Sequence, residues 1–184
     1  TYTYRKLKND CKKYKIKKYT TISKKNKNKH IFTKKLAHAI MKEKERLYWN
    51  SGQNRCIAVH VRHGWRSRFN SKIIMSDYIK SIQRFSKTKK ILLITEDEEV
   101  IKDAESNFPD YQWLYTEYPR ENKHDIGVAM SKGEVDSTAE ALNALVNLFL
   151  SSECEYFVGR VNSTWFRLMI MLAYGKYGTM PPFD

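Results

Sequence analysis

The residues with most chemistry to offer fall in three short segments, each closing an apolar run. The first is His60-Val61-Arg62-His63-Gly64-Trp65-Arg66. A guanidinium offers phosphate a two-pronged fork, an imidazole can bond a nucleobase or a hydroxyl, and glycine lets backbone come close. An H-x-R also suits an ordinary strand end with solvated polar groups. The second, Thr95-Glu96-Asp97, sets two carboxylates side by side. They can accept ribose or sugar hydroxyls, or complement the dipole of a helix capped by Thr95. The third, Gly159-Arg160-Val161-Asn162-Ser163-Thr164, holds three candidate helix caps. A helix opening there turns free N–H groups toward an anion, or is simply capped.

Other chemistries find little support. There is no G-x-x-x-x-G-K-[ST] or G-x-G-x-x-G phosphate loop, and no Asp-x-Asp to hold a divalent ion on a nucleotide sugar. The five histidines lack metal-ligand spacing, so no metal site and no cofactor is expected. Cys11, Cys56 and Cys154 are odd in number and far apart, which argues against a disulfide framework or a zinc–cysteine cluster. Cys56 reads as core. The longest apolar stretches, Leu145–Leu150 and Phe166–Tyr174, are too short to cross a bilayer, so no transmembrane segment is expected. The chain opens on Thr1, a start compatible with a targeting or anchoring segment removed upstream.

The elements that must position these segments alternate in type. Residues 33–49 carry Leu36, Ala39, Ile40 and Leu47 near helical spacing, and Asn50-Ser51-Gly52 stops them. Cys56–Val61 reads as a buried strand. A helix over Asp77–Phe85 is capped by Ser76 or Asp77; Ile91–Thr95 is a second strand and Glu96–Asn107 a helix. Tyr111–Tyr115 follows as a strand, then a polar loop, a helix over Ser137–Ser152, a strand over Tyr156–Val161 and a helix over Ser163–Tyr174. This rhythm predicts an α/β domain, a Rossmann-like doubly wound parallel sheet with helices on both faces. Ligand then belongs beyond the carboxyl ends of the strands.

Two domain regions are expected: a basic, Lys-rich arm over residues 1–29 and the α/β domain over residues 30–184. Residues 1–55 hold 18 Lys/Arg against three acids, a net +15; residues 56–90 carry +8 and residues 91–184 carry −9. Such a leading half attracts phosphate as nucleic acid, anionic lipid or a nucleotide-sugar diphosphate, and equally suits a solvated tail.

The order of the motifs resembles the donor-binding domain of the α-1,6-fucosyltransferase family. His60–Arg66 is similar to the element that holds GDP phosphates, and Asp77-Tyr78-Ile79 to the helix start that follows it. Leu93–Asp97 is similar to the strand ending in an acidic pair, and Asn107–Trp113 to an aromatic-Pro-x-Tyr segment. Phe149–Ser151, Phe157–Gly159 and Asn162-Ser163 are similar to the pieces that close the donor site. The resemblance implies the C-terminal, donor-binding half of a GT-B-type glycosyltransferase. It implies GDP-fucose or a related GDP-sugar as donor, a glycan acceptor, inversion at the anomeric carbon, and a Golgi lumen location if an upstream anchor was removed. It places His60 near guanine, Arg62 with Ser163 on the β-phosphate, and Arg66 near the leaving phosphate. His63, Tyr78, Glu96, Asp97 and Asn162 would line the sugar-nucleotide pocket. Arg62 and Arg66 are the expected catalytic residues, acting by neutralising charge on departing GDP.

The chain departs from the family in three places. Trp65 stands where the family has Asp, and no Asp or Glu lies between residue 56 and Asp77 to act as general base. Around Asn143–Asn147 the family's guanine-reading Asp is replaced by Asn. Only a short basic stretch, 59 residues in all, precedes His60, where an acceptor lobe belongs. Two readings therefore stand: a transferase, or a silent relative whose residues 1–55 bind RNA or another polyanion within a larger assembly.

Overall fold

The computed structural model describes residues 27–49, 56–62, 74–120 and 126–184. The elements run α1 (Lys27–Arg46), β1 (Ile57–Val61), α2 (Met75–Phe85), β2 (Lys90–Thr95), α3 (Glu98–Asn107), β3 (Gln112–Leu114), α4 (Ile126–Ser131), α5 (Ser137–Ser151), β4 (Tyr156–Gly159) and α6 (Thr164–Tyr177). The four strands form one sheet in the order β3-β2-β1-β4, and every pairing is parallel. The sheet is the expected α/β architecture.

Alternation along β1 and β2 divides the core into two layers. Ile57, Val59, Val61, Ile91 and Leu93 face α2 and α3, meeting Tyr78, Ile79, Ile82, Val100 and Ile101. Cys56, Ala58, Leu92 and Ile94 face the other way, onto Val146 and Leu150 of α5 and Phe166, Met169 and Ile170 of α6. Leu36, Ala39 and Ile40 of α1 pack against this second layer. β1 is buried along its whole length, which is why it reads as one apolar run rather than an alternation. Asp136 caps α5 through Thr138 N and Ala139 N, and Gly178 closes α6 at φ 73°, a conformation that costs other residues more.

Four details differ from the expectations. Cys56 and Cys154 form a disulfide, although 98 residues separate them. Each lies just ahead of one of two neighbouring parallel strands, and Ile57 pairs with Tyr156, so the sheet brings their Cα atoms to 4.7 Å. Sequence spacing carries no trace of that neighbourhood. Second, α2 begins at Met75, not after Ser76 or Asp77. Met75 is buried and anchors the first turn, while Ile74 precedes it without a side-chain cap. Third, α4 interrupts the segment read as loop. Fourth, the C-terminal residues lie along the outer edge of β4. Phe157 N donates to Pro182 O (3.1 Å), Gly159 N to Asp184 O (2.9 Å) and Asp184 N to Phe157 O (3.1 Å). Pro181-Pro182 disguises this piece in the sequence, because proline is tolerated only at sheet edges.

Candidate functional site

β2 and β3 lie to one side of β1, and β4 to the other. The chain direction across the sheet therefore reverses between β1 and β4, where an open α/β sheet leaves a crevice at its carboxyl edge. His60 and Arg62 close β1. Register pairs His60 with Gly159 and Val61 with Thr95, so Arg62 and Glu96 each come next at the same rim. Arg160, Asn162 and Ser163 follow β4 in a turn fixed by Ser163 N donating to Arg160 O at 2.9 Å. The sheet thus brings Arg62 and the opening of α6 to one edge, on adjacent strands.

The side chains there fall into different environments. Arg62 and Glu96 are exposed, as is Asn162. Ser163 is buried and caps α6, its Oγ accepting from Phe166 N at 3.5 Å. His60 is only 5% exposed, with its ring stacked 6.4 Å from that of Phe166. Burial, and secondarily the Arg62 charge, lower its pKa to about 4, so the imidazole is neutral at physiological pH. Its Nδ1 has no hydrogen-bond partner among the described residues. Phe166 reaches this position because residue 159 is glycine: a Cβ there would lie 2.6 Å from the Phe166 ring.

Tyr78 projects from α2 on the opposite face of the sheet and is buried. Burial raises its pKa, the positive charge of Arg160 opposes that rise, and Glu96 adds to it. The hydroxyl is therefore a neutral hydrogen-bonding group close to both charges. Asp97 stands apart from this group: it caps α3 by accepting from Glu99 N (3.0 Å), and its own N–H donates to Thr95 Oγ1 (3.1 Å). The helix cap is thus Asp97, not Thr95. His63 and Arg66 lie outside the described residues, as do Trp65 and the stretch lacking a carboxylate.

Arg160 went unassigned by motif, and Asn147 was singled out only as part of the stretch Asn143–Asn147. Arg160 was visible only as part of a turn, and register shows it at the rim. Asn147 of α5 is 6% exposed; its Nδ2 donates to Thr116 Oγ1 (3.0 Å) and to Asn143 O and Oδ1 (3.1 and 3.2 Å). Its Oδ1 has no partner among the described residues. The Asn147 acceptor on α5 and the His60 ring nitrogen on β1 are thus two separate buried groups without partners among the described residues. Among the described residues no three His, Cys, Asp or Glu side chains gather in a metal-binding group.

No protein-family model matches the sequence, and no curated protein does. Solved structures do. An α-1,6-fucosyltransferase NodZ soaked with GDP-fucose superposes with a TM-score of 0.50 at 19% identity, over 75% of this chain and 41% of that one. A selenomethionine NodZ from Bradyrhizobium gives 0.51 at 15% identity, over 91% of this chain and 58% of that one. The chain shares the fold of a fucosyltransferase. It spans between two-fifths and three-fifths of the length of these two NodZ chains. The match is to the parallel sheet flanked by helices, the Rossmann-like, GT-B-type domain that the motif order implied.

Proposed function

We propose that this domain binds the nucleotide of GDP-fucose, or of a related GDP-sugar, and serves an inverting transfer of the sugar to a glycan acceptor. One observation carries the reading: Arg62 and the capped opening of α6 share the carboxyl edge of adjacent strands at the crevice, with the neutral His60 between their elements. In this reading Arg62 neutralises the charge that grows on departing GDP, and helix-terminal N–H groups add to it. Ser163 shapes that terminus rather than offering a free hydroxyl. His60 Nδ1 suits a heterocyclic base, which presents both donors and acceptors. Glu96 and Tyr78 suit sugar or ribose hydroxyls; Asp97, engaged as a cap, supports the loop instead. Arg66 and His63 complete the motif by sequence. With no carboxylate between residue 56 and Asp77 to take the acceptor proton, turnover falls about a hundredfold or more below that of an enzyme that has one.

Calorimetric titration with GDP tests the reading. Binding that weakens at least tenfold in Arg62→Ala supports it. No heat at millimolar GDP, or an unchanged isotherm in the variant, removes it.

A second reading rests on α1, whose Lys34, Lys35, His38 and Lys42 are exposed on the face away from the core. With the net +15 of residues 1–55, that face suits RNA or another polyanion, in a chain that keeps the fold without catalysis. RNA affinity that falls steeply with salt supports it, because phosphate contacts release counterions; salt-independent affinity overturns it.

A further inference from the structure

A groove of about 520 Å³ opens beside the ends of β2 and β3, lined by Glu98, Tyr115, Glu117, Tyr118, Pro119 and Arg120. Its volume lies within the range of small-ligand sites. Its walls are held in place before any ligand arrives. Arg120 donates from Nε to Thr95 O (3.1 Å), from Nη1 to Tyr118 O (3.1 Å) and from Nη2 to Thr116 O (2.8 Å), tying the 116–120 segment to the end of β2. The Arg120 guanidinium also lies 5.6 Å from the centre of the Tyr115 ring. Tyr115 OH donates to Glu105 (2.8 Å), Arg46 donates to Tyr115 O, and Tyr118 is bonded to Glu140.

The lining selects a class of ligand. Two tyrosines and a proline offer flat apolar surface to the C–H faces of a ring, and carboxylates accept from hydroxyls. Glu98 and Glu117 repel an anion, and Arg120 has already committed Nε, Nη1 and Nη2 to main-chain carbonyls, so a second phosphate site is disfavoured. Strands stand about 5 Å apart, which puts the groove roughly 10 Å along the same rim from the β1–β4 crevice. We propose that this groove binds an uncharged saccharide. The assignment rests on the transferase reading only in making that saccharide the acceptor.

The test is an NMR titration of the chain with lactose, cellobiose and sucrose, with 3′-sialyllactose as an acidic counterpart and GDP as a separate probe. At least one neutral sugar is expected to shift resonances of Tyr115, Tyr118 and Arg120 with millimolar affinity, and sialyllactose to bind more weakly than lactose. Tyr118→Ala should weaken the neutral sugar about tenfold, the scale of losing one well-packed aromatic contact. The paired Glu98→Gln, Glu117→Gln variant, which leaves the packing intact, should weaken it about threefold or more, the scale of a modest hydrogen bond. No shift from any neutral sugar, shifts mapping elsewhere, or affinity surviving both variants overturns the proposal. GDP binding without sugar binding sinks the groove alone. Sugar binding without GDP binding sinks the donor reading and leaves the groove standing.

Discussion

The two rims of the sheet are built on opposite terms. At the amino-end rim, polar groups satisfy one another. Glu153 takes Lys44 Nζ (2.7 Å) and Trp49 Nε1 (2.7 Å), with Lys176 Nζ at 3.2 Å, and the Cys56–Cys154 bond joins the approaches to β1 and β4. Burial alone would raise the Glu153 pKa, but the bonds from Lys44 and Trp49 and the Lys176 charge outweigh it and hold the carboxyl below its usual range. Toward the carboxyl ends of the strands, His60 Nδ1 and, beside Thr116, Asn147 Oδ1 are buried and unmatched among the described residues. Unpaired buried polar groups cost stability, so this rim carries a penalty that the other does not.

The sharpest way to break this contrast is at the disulfide. Replacing Cys56 and Cys154 together by alanine opens a cross-link spanning 98 residues. In the chain-entropy account it is worth about 4–5 kcal/mol, or a fall in Tm of roughly 10 °C or more for a domain of this size. Calorimetry should register that fall while GDP affinity stays within about twofold, the change expected when no ligand contact is touched.

The next effect comes from the other rim. The unfolded chain protonates His60 near pH 6.5, whereas the folded chain resists until about pH 4. Protons therefore favour unfolding across that window, and stability should decline from pH 6.5 to 4, approaching about 3 kcal/mol for this group. Urea midpoints against pH measure the slope, and His60→Gln should flatten it. A slope that persists in the variant assigns it elsewhere.

Gly159→Ala should cost about 1–3 kcal/mol, since the new methyl meets the fully buried Phe166 ring and the ring has little room to yield. By displacing the ring that supports His60, it should also weaken GDP severalfold. Intact GDP affinity would separate the packing at this rim from its chemistry.

The smallest expected change is Glu153→Gln, about 1–2 kcal/mol at neutral pH, with GDP affinity unaltered. Because its carboxyl is held below the usual range, the Glu153 contribution is present above about pH 4.5 and fades as pH falls through the lowered value. Loss of nucleotide binding in this variant would show that the rims are coupled.

The elements were legible because buried parallel strands leave unbroken apolar runs: Cys56–Val61 and Ile91–Thr95 need no context to be recognised. The site was legible as segments, because strand ends carrying Arg62, Glu96 and Arg160 necessarily meet at one edge once the strands are parallel. Side-chain roles were less so. Asp97 and Ser163 serve as caps, and only the helix starts decide which of several adjacent polar residues takes that place. Asn147 was marked only through the resemblance, within the stretch Asn143–Asn147, and its bond to Thr116, 31 positions away, left no trace in the spacing. The disulfide and the closing tail depend on which strands become neighbours, a property of the fold and not of local spacing.

That tail has a consequence for how the molecule behaves in a crowd. A strand with one bare side is an invitation to another chain, which can add itself by the same ladder and begin an aggregate. Residues 182–184 occupy the bare side of β4, leaving a proline at its entrance and an aspartate at its exit, where Asp184 lies 3.9 Å from Arg84. At the far end β3 is three residues long, too brief a template to recruit a stranger.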